Sequence, residues 1–152
     1  MAAVDTMVTD ERKWLAGELD GLTDDEVLDF VRLMGGAEPL LEIVFLLMPQ
    51  ELNQEAAEDG VVGWNIETES RMFSYGTEIL DGELVAHAGA PADARVRLSM
   101  SLPVFFRLIT ELMDAVKAFA DEEVRVDGDL LYAMRLQPMF RAAPVSSPVT
   151  AS

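Results

Sequence analysis

The chain has 152 residues, 50% of them hydrophobic with a mean hydropathy of +0.17; this is the apolar content of one domain with one core and excludes disorder over most of the length. Twenty-eight acidic residues against 11 Lys and Arg give a formal charge of -17 and a pI near 4.1, so neither nucleic acid nor stable binding to anionic membranes is expected. The absence of cysteine and the single histidine, His87, exclude disulfides and thiolate sites and leave a zinc centre short of imidazoles; no metal or cofactor is expected.

The opening residues lack a basic segment followed by an apolar run, and the longest unbroken apolar stretch, Ile43 to Met48, is far shorter than a membrane span. A cytoplasmic protein is expected. Thr9 begins a short predicted helix, and Thr23 a clearer one, with Glu26 completing a capping box and Val27, Phe30, Val31 and Met34 at helical spacing before Gly35 and Gly36 end it. The segment Glu38 to Met48 then predicts a helix with almost no polar face, stopping at Pro49. Such a helix has to be covered all round by core, by ligand or by a second copy in a homodimer.

After an acidic loop the period changes to two. Val62, Trp64 and Ile66 share one face; so do Phe73, Tyr75, Thr77 and Ile79; and Asp81-Gly82 is a hairpin turn into a strand with Leu84, Ala86 and Ala88 inward and His87 outward. Ala94, Val96 and Leu98 alternate with Arg95 and Arg97. These four strands, from about Val61 to Ser99, predict an antiparallel meander. Helical spacing returns at Ser101 with Phe105, Phe106, Leu108, Ile109, Leu112 and Met113, and Asp114 to Ala120 predicts a second short helix. A fifth strand at Val124 to Val126 and a closing helix containing Leu130, Leu131, Met134 and Met139 follow. The reading is one domain over residues 1–141 and a disordered tail over 142–152 rich in small residues and proline.

This order of elements resembles the sterol-carrier-protein type 2 family. The residues that carry the likeness are Tyr75 with Asp81-Gly82, Ala92 to Ser99, Asp114 to Phe119 and, above all, Val124-Arg125-Val126-Asp127-Gly128-Asp129 with the Leu-rich helix after it. The match covers residues 61 to 141. It implies an α+β fold in which a five-stranded, mainly antiparallel sheet is covered by helices around an apolar cavity. Two positions depart from the pattern: Glu111 and Glu122 stand where the family often has glycines.

The resemblance implies a carrier that binds a hydrophobic small molecule, such as a sterol, a fatty acyl chain, an acyl-CoA or a polyketide. The cavity is expected between Trp64, Ile66 and Tyr75 on the sheet and Phe105, Phe106, Ile109, Met113, Leu130 and Met134 on the helices. The alternative is a cofactor-free cyclase, isomerase or hydrolase working in the same space. That chemistry needs a desolvated acid or base, for which Tyr75, Glu78, Asp93, Glu111 and Tyr132 are available. No catalytic constellation is legible among them. His87 reads as an exposed residue of its strand, and Asp20, Asp24, Asp25 and Asp29 read as a solvated helix face, since no calcium loop accompanies them.

Overall fold

A computed structural model describes residues 14–140. The start of the helix expected from Thr9 and the tail at 142–152 lie outside the described residues; residues 14–19 are helical. Ten further elements follow: α1 (Asp24–Leu33), α2 (Ala37–Glu51), β1 (Gly60–Glu67), β2 (Met72–Leu80), β3 (Glu83–Ala88), β4 (Val96–Ser101), α3 (Leu102–Ile109), α4 (Ala115–Ala120), β5 (Val124–Gly128) and α5 (Leu130–Met139). The class is α+β with one five-stranded, mostly antiparallel sheet in the order β3-β2-β1-β4-β5.

Local chemistry accounts for the element ends. Both bonds of the Thr23–Glu26 capping box are present at the start of α1. Asp81 and Gly82 have φ of 53° and 80°, the twist a two-residue hairpin requires, and they join β2 to β3. Ser101, Asp114 and Asp129 each accept a backbone N–H in the first turn of α3, α4 and α5 respectively.

The expected meander is corrected at its fourth strand. β1, β2 and β3 are antiparallel neighbours, but β4 lies on the far side of β1 and runs parallel to it, pairing Trp64 with Leu98. The chain therefore crosses behind two strands between Gly89 and Arg95. Gly63 and Gly76 make that passage possible. They are cross-strand partners on the face away from the core, and a Cβ would lie 3.5 Å from the Pro91 ring at Gly63 and 3.2 Å from it at Gly76. Arg97 clamps the crossing from β4, donating to the Pro91 carbonyl at 3.0 Å and the Ala92 carbonyl at 3.2 Å.

Two helix ends also differ from expectation. α2 continues through Pro49 to Glu51: the proline removes one intrahelical N–H and crowds the carbonyl one turn earlier, and the burial of Met48 and Leu52 holds the last turn in the core against that cost. It is not covered all round. Leu41, Phe45 and Met48 are buried, whereas Ile43 is 50% and Leu46 72% exposed. α3 stops at Ile109 because residues 107–112 form a Schellman cap: the Leu112 N–H donates to the Arg107 carbonyl at 2.9 Å and the Glu111 N–H to that of Leu108 at 3.2 Å. Leu112 and Met113 thus fall beyond the helix.

Candidate functional site: an apolar cavity over one half of the sheet

The strand alternation puts Val62, Trp64, Ile66, Phe73, Tyr75, Ile79, Val96, Leu98 and Met100 on one buried face. The two halves of that face are covered differently. Over β2, the ring of Phe45 from α2 stacks on Tyr75 with centroids 4.2 Å apart, and it meets Phe105 at 5.7 Å and Trp64 at 6.1 Å. Over β4 and β5 the covering helices are short, with eight residues in α3 and six in α4. They leave a cavity of about 320 Å³.

Its floor is Trp64, Leu98, Met100, Val124 and Val126, and no residue of β2 or β3 lines it. Its roof comes from α3 and α5, with Phe105, Phe106, Ile109, Met134 and Leu136. Phe119 and Phe140 complete that side, and the face of α2 bearing Leu40, Val44 and Leu47 forms the opposite wall. Trp14, Met34 and Ile43 line it too, and each is substantially exposed, which places the mouth at these residues.

Of the expected site residues, Trp64, Phe105, Phe106, Ile109 and Met134 come together around this cavity. Ile66, Tyr75, Met113 and Leu130 are not among its lining residues. Tyr75 is on the inward face but lies beneath Phe45. Met113 is carried off by the cap at the end of α3. Leu130 is 40% exposed, because α5 turns Tyr132, Ala133, Leu136 and Met139 inward instead. The α2 face, Leu98, Met100, Val124 and Val126 were not anticipated as lining, although the alternation of β4 and β5 was the signal that could have found the last four.

Two of the polar side chains that line the cavity, Trp64 and Gln137, are engaged by the protein. The buried Trp64 Nε1–H donates to Thr77 Oγ1 at 2.9 Å. Gln137 Nε2 donates to the carbonyls of Leu108 at 3.1 Å and Met113 at 3.0 Å, while its Oε1 accepts the Ala115 N–H at 2.9 Å. Gln137 thereby fastens α5 to the segment joining α3 and α4. Two carboxylates, Glu51 and Glu111, also line the wall, and neither lacks an interaction partner.

A polar clasp ties together one end of this half, where β1 and β4 begin and β5 gives way to α5. Arg95 donates to Asp129 at 2.9 Å and to the Asp59 carbonyl at 2.8 Å, and its guanidinium lies 4.1 Å from the centre of the Tyr132 ring. The Tyr132 hydroxyl donates to the Glu58 carbonyl at 2.9 Å, and Arg135 grips the Glu58 carboxylate with two nitrogens. Burial pushes the Tyr132 phenol above its ordinary value. Gly60 leaves the room for that ring, since a Cβ there would sit 2.7 Å from it.

Among the five residues considered for acid–base chemistry, only Glu111 borders the cavity. Glu78 and Asp93 are exposed, Tyr75 is packed in the aromatic cluster, and Tyr132 belongs to the clasp. His87 is exposed, with its ring over Gly76. Among the described residues no group of His, Asp and Glu could hold a metal ion, and no helix is long and apolar enough to cross a membrane.

Residues 49–141 match the model of the SCP-2 sterol transfer family. The chain belongs to that family. Its functional class is accordingly lipid or sterol binding or transfer. Solved structures share the fold at low identity. Apo sterol carrier protein 2 from Yarrowia lipolytica is 19% identical, with a TM-score of 0.55 over 64% of this chain and 87% of that one. Palmitated SCP2L2 from Aedes aegypti is 17% identical, with a TM-score of 0.54 over 70% and 95%. A stereoselective inverting sec-alkylsulfatase from a Pseudomonas species also matches, at 17% identity and a TM-score of 0.60, over 72% of this chain but only 17% of the enzyme. No curated protein matches the sequence.

Proposed function

We propose that this member of the family is a non-enzymatic carrier that holds one hydrophobic small molecule in the cavity over β1, β4 and β5. The observation that carries the reading is the cavity itself, about 320 Å³ with walls of Leu, Ile, Val, Met and aromatic side chains, within the range of small-molecule sites. Burial is worth about 0.8 kcal/mol per methylene, so a dozen carbons supply roughly 10 kcal/mol, against an association cost of roughly 4–15 kcal/mol. The resulting affinity is modest, which suits a protein that has to release its cargo.

The placement of the acid–base candidates favours a carrier over the cofactor-free enzyme, because four of the five lie away from the cavity. Native mass spectrometry of the purified protein, followed by solvent extraction, tests the reading. The expected result is a retained apolar ligand that is lost when Ile109→Trp fills the space while the circular dichroism spectrum stays native. A wild-type protein that carries nothing, and binds no apolar fluorophore such as N-phenyl-1-naphthylamine, would refute it.

A further inference from the structure

Strand β3 ends the sheet, and the phase of its pairing shows which of its backbone groups are free. Leu80 and Glu83 flank the two-residue turn at Asp81-Gly82, so they exchange both of their backbone hydrogen bonds, and the antiparallel pattern repeats this at Glu78 with Val85 and at Gly76 with His87. The Gly89 N–H, which donates to the Ser74 carbonyl at 2.9 Å, keeps the same phase. The N–H and C=O groups of Leu84, Ala86 and Ala88 therefore point away from β2, and among the described residues no other strand pairs with β3.

Acid borders this free edge on both faces. The helix packed on β3 is α2, and at about 100° per residue its flank opposite the cavity-lining Leu40, Val44 and Leu47 carries Glu38 and Glu42. Burial, then the Glu42 and Glu38 carboxylates, push the Tyr75 phenol above its ordinary value, which sets both acids on the β2 side of the helix. On the solvent face of the sheet, Glu78 and Glu83 stand beside Val85, which is 63% exposed. Asp81 follows in the turn. All of these carboxylates are exposed, and none forms an ion pair with a described Lys or Arg. Arg71, the cation that also acts on Tyr75, lies 4.2 Å over the Phe73 ring. A second copy set two-fold on this edge would bring the acids against themselves, which disfavours it as the occupant. We propose that the β3 edge docks an extended, basic segment of a partner protein, added to the sheet as a further strand that alternates Lys or Arg facing α2 with β-branched apolar residues beside Val85. The docked strand lies on the flank of α2 away from the cavity and leaves the mouth at Trp14, Met34 and Ile43 open. The proposal goes beyond the carrier reading and stands whatever the cavity holds.

The probe is a short capped peptide of alternating Lys and Val, with one of alternating Glu and Val as control, titrated into the full chain at low salt and followed by amide NMR and hydrogen exchange. The expected result is slower exchange at the amides of Leu84, Ala86 and Ala88, with binding that weakens as salt is raised and at least about tenfold in Glu42→Lys/Glu83→Lys. Ala86→Pro should abolish binding. Ala86 faces Thr77 in a pair that makes no backbone hydrogen bond, so proline removes an outward N–H and leaves the hairpin bonded, with native circular dichroism as the check. If that variant fails to fold, the charge reversal carries the test. Binding of the control as tight as that of the basic peptide, or binding that leaves the three edge amides unprotected, overturns the proposal. No binding of the basic peptide overturns it as well, and leaves the acids as a guard against edge-to-edge pairing. Protection of the same amides that grows with protein concentration alone overturns it in favour of a second copy.

Discussion

The two halves of the sheet begin from the same sequence pattern and end in different states. Over β2, Phe45 of the fifteen-residue helix α2 lies flat on Tyr75 and meets Trp64 and Phe105, so aromatic rings fill the space. Over β4 and β5 the helices α3 and α4 are too short to do the same, and the cavity remains. The first half is held by apolar contact and the second is held at its edges by polar ones: Arg95 to Asp129, Glu58 to Tyr132 and Arg135, Gln137 to the α3–α4 segment. A hollow interior is compatible with a stable domain because stability and ligand space are supplied by separate regions.

The largest expected effect separates the halves by truncation. Phe45 is 4% exposed and touches three other rings, so Phe45→Ala should cost about 3–5 kcal/mol. Met134 is half-buried beside existing empty space, and Met134→Ala should cost only about 1 kcal/mol, since the removed atoms already lacked neighbours on one side. Urea denaturation of the two variants measures this. Equal losses would mean that the second half is as tightly packed as the first.

What the sequence could and could not convey follows the same division. Alternation at Val62, Trp64, Ile66 and at Phe73, Tyr75, Thr77, Ile79 announces which side chains face inward, and it does so correctly. It carries no information on what lies above them, so Tyr75 and Ile66 look as eligible for the cavity as Trp64 does. For Tyr75 the deciding feature is Phe45, which α2 lays flat over its ring. The crossover to β4 was hidden for a related reason. Gly63 and Gly76 sit at outward positions where any small or polar residue would satisfy the pattern, and their role appears only once Pro91 passes over both. The lining of the cavity by Phe105, Phe106, Ile109 and Met134 was accessible because helical spacing and size already marked them.

A second prediction concerns the polar edge of the hollow half. The N–H of Tyr132 and, after it, the Arg95 guanidinium hold the Asp129 carboxyl below the usual carboxylate range. A carboxylate whose folded pKa is depressed contributes stability that is present above its unfolded value, about 3.9, and is lost as the pH falls through the folded value. Acidification should therefore loosen the β5–α5 corner before the aromatic half. Hydrogen exchange at pH 3 against pH 6 is the measurement, with protection in α5 expected to fall more than in β1 and β2. In Asp129→Asn, α5 should already be weaker at pH 6 and lose less on acidification; an unchanged acid response would show that another group governs the corner.

The smallest effect distinguishes the halves by how their helices stop. α1 ends in a Schellman cap with Gly35 at the left-handed position, where the Gly36 N–H donates to the Val31 carbonyl at 2.9 Å and the Gly35 N–H to that of Arg32 at 3.2 Å. α3 and α4, which bound the cavity, end in the same motif, with the corresponding bonds at residues 107–112 and 118–123. At the position that favours glycine they carry Glu111 at φ 61° and Glu122 at φ 62°, and a side chain in this region costs roughly 1–2 kcal/mol. Replacing either by glycine relieves that strain but frees the unfolded chain, which offsets about 0.4–1 kcal/mol. Glu122→Gly, away from the cavity lining, is thus expected to stabilise the protein by about 0.5–1 kcal/mol in a denaturant titration. Glu111→Gly relieves the same strain but also removes the interaction Glu111 makes in the protein, so its gain should be smaller than that of Glu122→Gly. If Glu122→Gly gains nothing, the left-handed cap carries no strain that glycine can relieve beyond what it adds to the freedom of the unfolded chain.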